Sequence, residues 1–413
     1  MLHTLFKTLI RLLLVLPLLA LVACNGKESA PGEAPQEFMV KAGDGQVTIT
    51  WKEDPNLTYW VFTAAATGIT PDDYGKYPSA QIFPSSRSPM VLTGLANGVT
   101  YAFTINATRN GGPAGPAAQS IAVSPRPAGN AWTVGSSAGT VDLNNVVFNN
   151  NLGHFLAVGQ GGAIQRSIDG KTWTAQTSGT AADLTTVFYD NVDYLALTSD
   201  GKLLRSTDGI TWAAAPVGTG TTKRLNRLVG GANVYLAVGE AGTIVTSPPD
   251  RSAWTAQVSG TQRDLNKVVY TSSGFVAVGA GGTILSSVDG KTWKTQNSGV
   301  TADLHGVYFS GANVIAVGKG GTIVSGKNIF TDTPVWTVNE SGTTQDLYAV
   351  NAASQVVVVG AAGTALTGKL ATGADRYTWT LATTGTGSRA NDLVLGGATY
   401  VAVGVGGSNA SAY

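Results

Sequence analysis

Short stretches in which apolar and polar residues alternate cover the chain from residue 37 onward. Examples are residues 47–51 and 59–62, and each stretch is bounded by turn-forming residues. Alternation of this length between turn formers is typical of half-buried β-strands. Gly supplies 53 of the 413 residues and charged residues only 12%, which suits many short strands and tight turns. The sequence therefore predicts an all-β protein.

The pattern repeats after residue 129. Tryptophans recur at intervals of 39 to 43 residues, and each period holds four short strand-like stretches, seen most clearly at 264–270, 275–279, 282–287 and 293–296. This period and strand number are those of one propeller blade. The tryptophans are Trp132, Trp173, Trp212, Trp254, Trp293, Trp336 and Trp379. The second strand of the period is predicted seven times, at 155–159, 194–198, 235–239, 275–279, 314–318, 356–360 and 400–404.

The two ends of the repeat array are complementary. It begins with a fourth strand at Trp132 and ends at Tyr413, where the last period lacks a fourth strand. The first strand is therefore expected to complete the last sheet and close the ring, which leaves no unpaired edges at the junction.

Three periods carry a Ser-x-Asp-Gly-x-Thr-Trp turn between the third and fourth strands. The Asp side chain is expected to accept backbone N–H groups, Gly to adopt positive φ and Trp to pack between neighbouring sheets. The turns resemble the Asp box, or BNR repeat, of sialidase-like and photosystem II assembly-factor-like propellers, which implies a seven-bladed β-propeller over residues 129–413. The turn residues are Ser167, Asp169, Gly170, Trp173, Ser206, Asp208, Gly209, Trp212, Ser287, Asp289, Gly290 and Trp293.

Residues 37–128 form a separate β-rich segment. Residues 92–107 resemble the tyrosine corner and following strand of a fibronectin type III domain, and Trp51 matches its core tryptophan. The resemblance implies a β-sandwich with Trp51, Tyr101, Phe103 and Ile105 between the sheets and the Tyr101 hydroxyl bonded to a backbone group. The segment is expected to act as a spacer.

The N-terminus has the features of a secretion signal. Lys7 and Arg11 precede an apolar stretch at 12–22, and residues 21–24 resemble a bacterial lipobox. This implies a signal peptide at 1–23, lipidation of Cys24 and a flexible tether at 24–36. A plain secretory signal or an N-terminal membrane helix is the alternative. Asn25 after the cysteine favours the outer membrane of a bacterial cell envelope over the inner membrane.

Charge and cysteine content exclude several functions. The chain has 26 basic and 25 acidic side chains, so no excess positive charge favours nucleic acid as a partner. Cys24 is the one cysteine, and His154 and His305 fall at unrelated repeat positions, so no metal site and no cofactor are predicted.

Two sets of charged residues recur near the predicted inner strands. The carboxylates suggest either a ring for a cation or, as we favour for a repeated element, the turns that start each inner strand. They are Asp142, Asp183, Asp264, Asp303, Asp346 and Asp392. A basic set on consecutive periods is a candidate partner-binding patch, with a solvated rim as the alternative. It consists of Lys223, Arg224, Arg227, Arg263 and Lys267.

The leading functional hypothesis is a lipid-anchored scaffold that binds a protein or glycan partner without catalysis. The alternative is a sialidase-like hydrolase or a lectin, but Arg166 and Arg205 occupy equivalent repeat positions and do not form an arginine triad. A role in membrane-complex assembly, as in the photosynthetic assembly factors, is a third possibility. The turn pattern is lost at 247–250, 326–328 and 368–369, where adaptation is expected.

Overall fold

A computed structural model describes residues 31–412 except 110, 128, 312, 371–375 and 398. The chain divides into two compact units, residues 1–125 and 126–413. The predicted signal peptide and Cys24 lie outside the described residues.

The first unit contains two antiparallel sheets. One has the strand order β1-β2-β5 and the other β4-β3-β6-β7. The strands are β1 Met39–Ala42, β2 Gln46–Thr50, β3 Thr58–Ala64, β4 Gln81–Ser86, β5 Met90–Thr93, β6 Tyr101–Thr108 and β7 Ile121–Val123, with a short 3-10 turn at Tyr74–Lys76.

The core of this unit follows from the period of two in its strands. Tyr101, Phe103 and Ile105 alternate along β6 and pack with Trp51 in one buried cluster, as predicted. The backbone N–H of Ala96 donates to the Tyr101 hydroxyl at 3.2 Å, so the expected bond at this corner is also present.

In the described part of the second unit the strands form seven four-stranded antiparallel sheets. Each sheet except the last runs consecutively from an inner to an outer strand. The inner strands are β9 Leu143–Asn149, β13 Leu184–Tyr189, β17 Leu225–Gly231, β21 Leu265–Thr271, β25 Leu304–Phe309, β29 Leu347–Ala352 and β33 Ala390–Gly396. The second strands are β10 His154–Gly159, β14 Tyr194–Thr198, β18 Val234–Gly239, β22 Gly274–Gly279, β26 Val314–Gly318, β30 Val356–Gly360 and β34 Thr399–Gly404.

The third and fourth strands complete these sheets. The third strands are β11 Ile164–Ser167, β15 Leu203–Ser206, β19 Ile244–Ser247, β23 Ile284–Ser287, β27 Ile323–Lys327, β31 Thr364–Leu370 and β35 Asn409–Ala412. The fourth strands are β12 Thr174–Gln176, β16 Ala213–Ala214, β20 Thr255–Gln257, β24 Lys294–Gln296, β28 Val335–Asn339, β32 Tyr377–Thr383 and, for the last sheet, β8 Trp132–Val134.

The first strand of this unit closes the ring as predicted. β8 pairs antiparallel with β35, with Trp132 opposite Ala412 and Val134 opposite Ala410. Consecutive inner strands contact one another around the circuit, and β33 contacts β9. The first and last strands of the second unit are therefore held by hydrogen bonds within one sheet.

Packing between sheets explains why the middle positions of the second strands are apolar without alternation. Leu156 and Val158 on β10 pack against Leu184 of the following sheet. Phe155 and Ala157 of the same strand pack with the last sheet instead. Because successive side chains point to opposite faces, each sheet buries both faces against its two neighbours. Each fully buried Leu, Val or Phe contributes about 1.5–3 kcal/mol.

Glycine permits close approach of backbones at two places. A Cβ on Gly159, at the end of β10, would lie 1.9 Å from the Asp142 carbonyl oxygen. A Cβ on Gly306 would lie 2.7 Å from the Tyr348 carbonyl oxygen on the next inner strand. A larger residue at either place would push these backbones apart.

Candidate functional site

One end of the seven sheets collects the turns that precede the inner strands. Second strands end and third strands begin at the same end, because the strands are antiparallel. We call this end the entry face. The residues directly before the inner strands are Asp142, Asp183, Arg224, Asp264, Asp303, Asp346 and Arg389.

Five of these residues are aspartates that bind the preceding sheet. Asp183 Oδ1 accepts the backbone N–H of Gly161 at 2.8 Å, and Asp142 Oδ1 accepts that of Gly406 at 2.8 Å across the ring closure. Asp264, Asp303 and Asp346 accept equivalent bonds from Ala241, Gly281 and Gly320 at 2.7–2.8 Å. The turn interpretation of these carboxylates is therefore confirmed, since each one links neighbouring sheets.

The prediction that Asp392 directly precedes an inner strand, like the other five aspartates, is wrong. Ala390 is the first residue of β33 and pairs with Gly404, so Arg389 is the residue before the strand. Asp392 lies inside β33 and pairs with Val403. The usual Leu after the turn is Ala390 in this sheet, and the sequence consequently lacks the apolar marker that would fix the register.

Asp392 is the centre of a buried ion cluster. Lys267 Nζ bonds to its Oδ1, and Arg227 Nη1 donates to its Oδ2 at 3.2 Å. Asn145 Nδ2 and the backbone N–H of Val146, at 3.2 Å, also donate to Oδ2. These side chains start from the third residue of their inner strands and meet inside the ring. The third residues are Asn145, Thr186, Arg227, Lys267, Gly306, Ala349 and Asp392.

The cluster is electrostatically unbalanced. The side chain of Asp392 is only 2% exposed, that of Lys267 is 12% exposed and that of Arg227 is 22% exposed. Burial alone would raise the pKa of Asp392, but the charges of Lys267 and Arg227 hold it below its ordinary value. Burial lowers the pKa of Lys267, with a further contribution from Arg227 that Asp392 opposes. Asp392 therefore faces two basic side chains with a single carboxylate.

The predicted basic patch is divided by the structure. Arg227 and Lys267 lie in the buried cluster, whereas Lys223 and Arg263 are exposed and Arg224 is partly exposed on the entry face. Arg263 Nη1 donates to the Gly281 carbonyl at 2.7 Å, which orients its guanidinium. Two groups of cations with different environments thus replace the single patch expected.

A groove of about 580 Å³ borders the exposed group. Thr221 and Gln262 line it and directly precede the segments that carry Lys223 and Arg263. Its other lining residues include Ile244, Trp254 and Val258, and Val258 is 85% exposed. The groove therefore has a mixed apolar and polar lining, and Lys223 and Arg263 follow its lining residues closely in the chain.

A second group on the entry face was not predicted from the sequence. The second residue of four inner strands is Asn, whose Nδ2 donates to the carbonyl of the next inner strand: Asn144, Asn226, Asn266 and Asn391. In two other strands His305 and Tyr348 occupy this position and stack at 4.8 Å between ring centroids. The Arg389 guanidinium lies 5.1 Å from the Tyr348 ring centre. The replacement of the repeated Asn by His305 and Tyr348 was the signal in the sequence that could have revealed this group.

The opposite end of the sheets carries the predicted Asp-Gly turns. Asp169 Oδ1 accepts the backbone N–H groups of Lys171 and Thr172 at 2.8 Å, and Gly170 has φ +70°. Trp173 packs in the cluster between the first and last sheets. Asp208 and Asp289 make the same pair of backbone bonds in their turns. The expected local bonds are therefore present in all three turns.

One loop that departs from this pattern forms its own ion network. Arg251 Nη2 donates to Asp193 Oδ2 at 2.8 Å, and Arg205 binds the same carboxylate at 2.8–3.0 Å. The Arg251 guanidinium also lies 5.4 Å from the Tyr235 ring centre. The network joins the second and third sheets, so the changed loop has a structural use.

Neither a cluster of metal ligands nor a membrane-spanning helix occurs within residues 31–412, apart from the gaps given above. Among these described residues no three His, Cys, Asp or Glu side chains come together as ligands for a metal ion. The same part of the chain has no helix with the length and apolar character of a membrane span.

Comparisons with known proteins bear on the second unit. Residues 130–267 match a family described as the DUF6242 β-propeller domain. No curated protein matches the chain.

Solved structures of similar fold cover about two thirds of the chain. YCF48 from Cyanidioschyzon merolae is 16% identical, with a TM-score of 0.56 over 68% of this chain and 98% of its own. The second unit is a β-propeller. A structure titled YCF48 bound to D1 peptide is 17% identical with a TM-score of 0.55, over 68% of this chain and 96% of its own. The WD40 propeller domain of Doa1 is 14% identical with a TM-score of 0.55, over 69% and 97%. These likenesses confirm the predicted propeller.

Proposed function

We propose that this chain is a lipid-anchored binding scaffold of the bacterial envelope, whose propeller holds a segment of a partner protein on the entry face. The observation that carries the proposal is the groove beside exposed Lys223 and Arg263. An acidic segment with apolar side chains would complement the apolar lining residues Ile244, Trp254 and Val258 and the cations that lie close to them in the chain. The seven sheets act in this proposal as seven blades, and their loops supply a face for binding without catalysis.

The solved relatives are compatible with a protein partner. One of them is titled as a complex with a peptide, and the propeller of this chain has the same general fold. Fold likeness at this identity does not transfer a ligand, so the choice of partner rests on the groove and its charges.

A variant with Lys223, Arg224 and Arg263 changed to Gln tests the binding face. The purified full chain in detergent captures proteins from envelope extracts, and captured proteins are compared between the wild type and this variant. The matched control changes three exposed lysines elsewhere on the propeller, Lys291, Lys294 and Lys369, to Gln. We expect a partner that is lost with the entry-face variant and kept with the control.

Salt dependence and a glycan array separate the remaining outcomes. Binding by exposed cations weakens as ionic strength rises, because such charges are screened. A partner retained equally by both variants contradicts the proposed face. Absence of a protein partner together with binding to the glycan array would replace the proposal with the lectin or hydrolase alternative.

The rest of the chain has a positioning role in this proposal. Diacylglycerol on Cys24 holds the protein at a membrane, favoured as the outer membrane, and residues 24–36 act as a tether. The first unit acts as a fibronectin type III spacer, which its three-plus-four strand order and the Tyr101 hydrogen bond support.

Detergent phase partitioning of the expressed protein tests the anchor. The wild type is expected in the detergent phase and Cys24→Ser in the aqueous phase, since the acyl chains supply the membrane affinity. Equal partitioning of the two proteins would refute lipidation at Cys24.

A further inference from the structure

The buried cluster inside the propeller ring contains two basic side chains and one carboxylate, so one positive charge has no counter-ion among the described residues. Arg227 and Lys267 face the single carboxylate of Asp392. The other four third-position side chains, Asn145, Thr186, Gly306 and Ala349, carry no charge. A net charge in this environment is costly unless a counter-ion accompanies it.

Asp392 has no capacity to balance both cations. Its two oxygens already accept bonds from Lys267, Arg227, Asn145 and the Val146 backbone. Asn145 Oδ1 is also occupied, since it accepts the Val187 N–H at 2.8 Å and the Thr186 hydroxyl at 3.2 Å. Asp392 thus supplies one negative charge to two basic side chains, and the Asn145 amide adds none.

The cations, in contrast, have unused donors. Arg227 reaches Asp392 through Nη1 alone, and its enclosed Nε has no acceptor among the described residues. Lys267 has three N–H groups, and the acceptor found for them in the described part of the chain is Asp392 Oδ1. Guanidinium and ammonium N–H groups that lack a protein acceptor favour the binding of a small oxyanion, because charge-assisted hydrogen bonds to oxygen are strong.

We infer that the centre of the propeller ring binds a small free oxyanion, such as phosphate, through Arg227 and Lys267. The third-position residues of the fifth and sixth sheets, Gly306 and Ala349, add no charged or polar side chain that could compete for the oxyanion. The site lies inside the ring and is distinct from the exposed Lys223, Arg224 and Arg263. It holds whether or not the proposed partner binds the entry face.

Thermal unfolding of the full chain in a phosphate titration tests the site, with ionic strength held constant by sodium chloride. A ligand that binds only the folded state raises Tm with the logarithm of its concentration, by about 5 °C at one hundred times Kd for a unit of this size. Lys267→Met and Arg227→Met are expected to abolish the shift, whereas exposed Arg263→Gln keeps it. Isothermal calorimetry with phosphate gives the same comparison without heating.

Behaviour without phosphate supplies the second readout. Lys267→Met leaves Arg227 and Asp392 as a balanced pair, so its Tm in phosphate-free buffer of low salt is expected to equal or exceed that of the wild type. An unchanged wild-type Tm across the phosphate series overturns the proposal, as does a shift that survives both Met variants. A wild-type Tm that depends on pH through Lys267 but not on phosphate also overturns it, since the amine would then be neutral. Partner capture is measured separately, with the variant of the exposed residues Lys223, Arg224 and Arg263. Failure of the phosphate proposal can therefore be distinguished from failure of the partner proposal.

Discussion

Replacing the buried carboxylate of the ion cluster should destabilise the propeller strongly. Asp392→Asn retains the size of the side chain but leaves Arg227 and Lys267 as adjacent buried cations. Removing one partner of a buried ion pair costs about 3–5 kcal/mol, because the remaining charge is uncompensated. Total domain stabilities are about 5–15 kcal/mol, so the loss would be a large fraction of the whole. Asp332→Asn, at an exposed loop position, is the matched control and should change stability by less than about 0.5 kcal/mol.

Urea unfolding followed by tryptophan fluorescence measures this loss. All of the nine tryptophans except Trp51 and Trp60 lie in the second unit, so the signal reports mainly on the propeller. The experiment is done in phosphate-free buffer, where no added oxyanion replaces the carboxylate. A loss below about 1 kcal/mol for Asp392→Asn would refute the reasoning. The cost should also fall when Lys267→Met is already present, because one cation then remains unpaired instead of two.

The contribution of the Asp392 carboxylate to stability should also be seen in acid unfolding. The pKa of Asp392 is lower in the folded protein than its ordinary value. Its contribution to stability is therefore present above the unfolded pKa, about 3.9, and is lost as the pH falls through the folded pKa. Asp392→Asn should have a shallower decline of stability at acid pH than the wild type.

Three other changes test the propeller frame. Gly306→Ala should cost about 1–3 kcal/mol in urea unfolding because its Cβ meets the next inner strand, whereas Gly218→Ala, with no atom within 4 Å of its Cβ, should be tolerated. Asp289→Ala removes the acceptor of two backbone N–H groups and should cost about 2 kcal/mol, against little for exposed Asp332→Ala; equal losses would contradict the turn assignment. Deletion of residues 130–137 removes the closing strand and should abolish the cooperative thermal transition of the propeller; its retention would count against closure.

The fold was predictable because its determinants are local and repeated. Strand alternation, a period near 40 and Asp-Gly turns each mark the same sheet boundaries, and seven four-stranded sheets occupy the predicted positions. Closure was predictable for the same reason, since the first and last periods lack complementary strands. The packing of Trp51 and Tyr101 in the first unit was predicted from the resemblance of residues 92–107 to a tyrosine corner, and both side chains lie in one buried cluster.

The ion cluster was not predictable, because its members are distant in sequence and differ between repeats. Lys267 and Arg227 lie 125 and 165 residues from Asp392, and the contact exists because the ring brings third positions together. The register error at Asp392 concealed it further. With Ala390 in place of the usual Leu, the one carboxylate near that strand was assigned to the turn, whereas its position in the strand places it inside the ring.

Departures from the repeat occur at both ends of the sheets, and their environments indicate which end carries function. At the turn end, the changed loop places Arg251 on Asp193 and Tyr235, so its charge is consumed in joining two sheets. At the entry face, the two turns that lack Asp carry Arg224 and Arg389. Neither of these side chains supplies the acceptor that Asp provides elsewhere, and both are at least partly exposed. Each donates from Nε to an Asn of the strand that follows it, but among the described residues neither guanidinium pairs with a carboxylate, so the entry face is where an acidic ligand should be sought first.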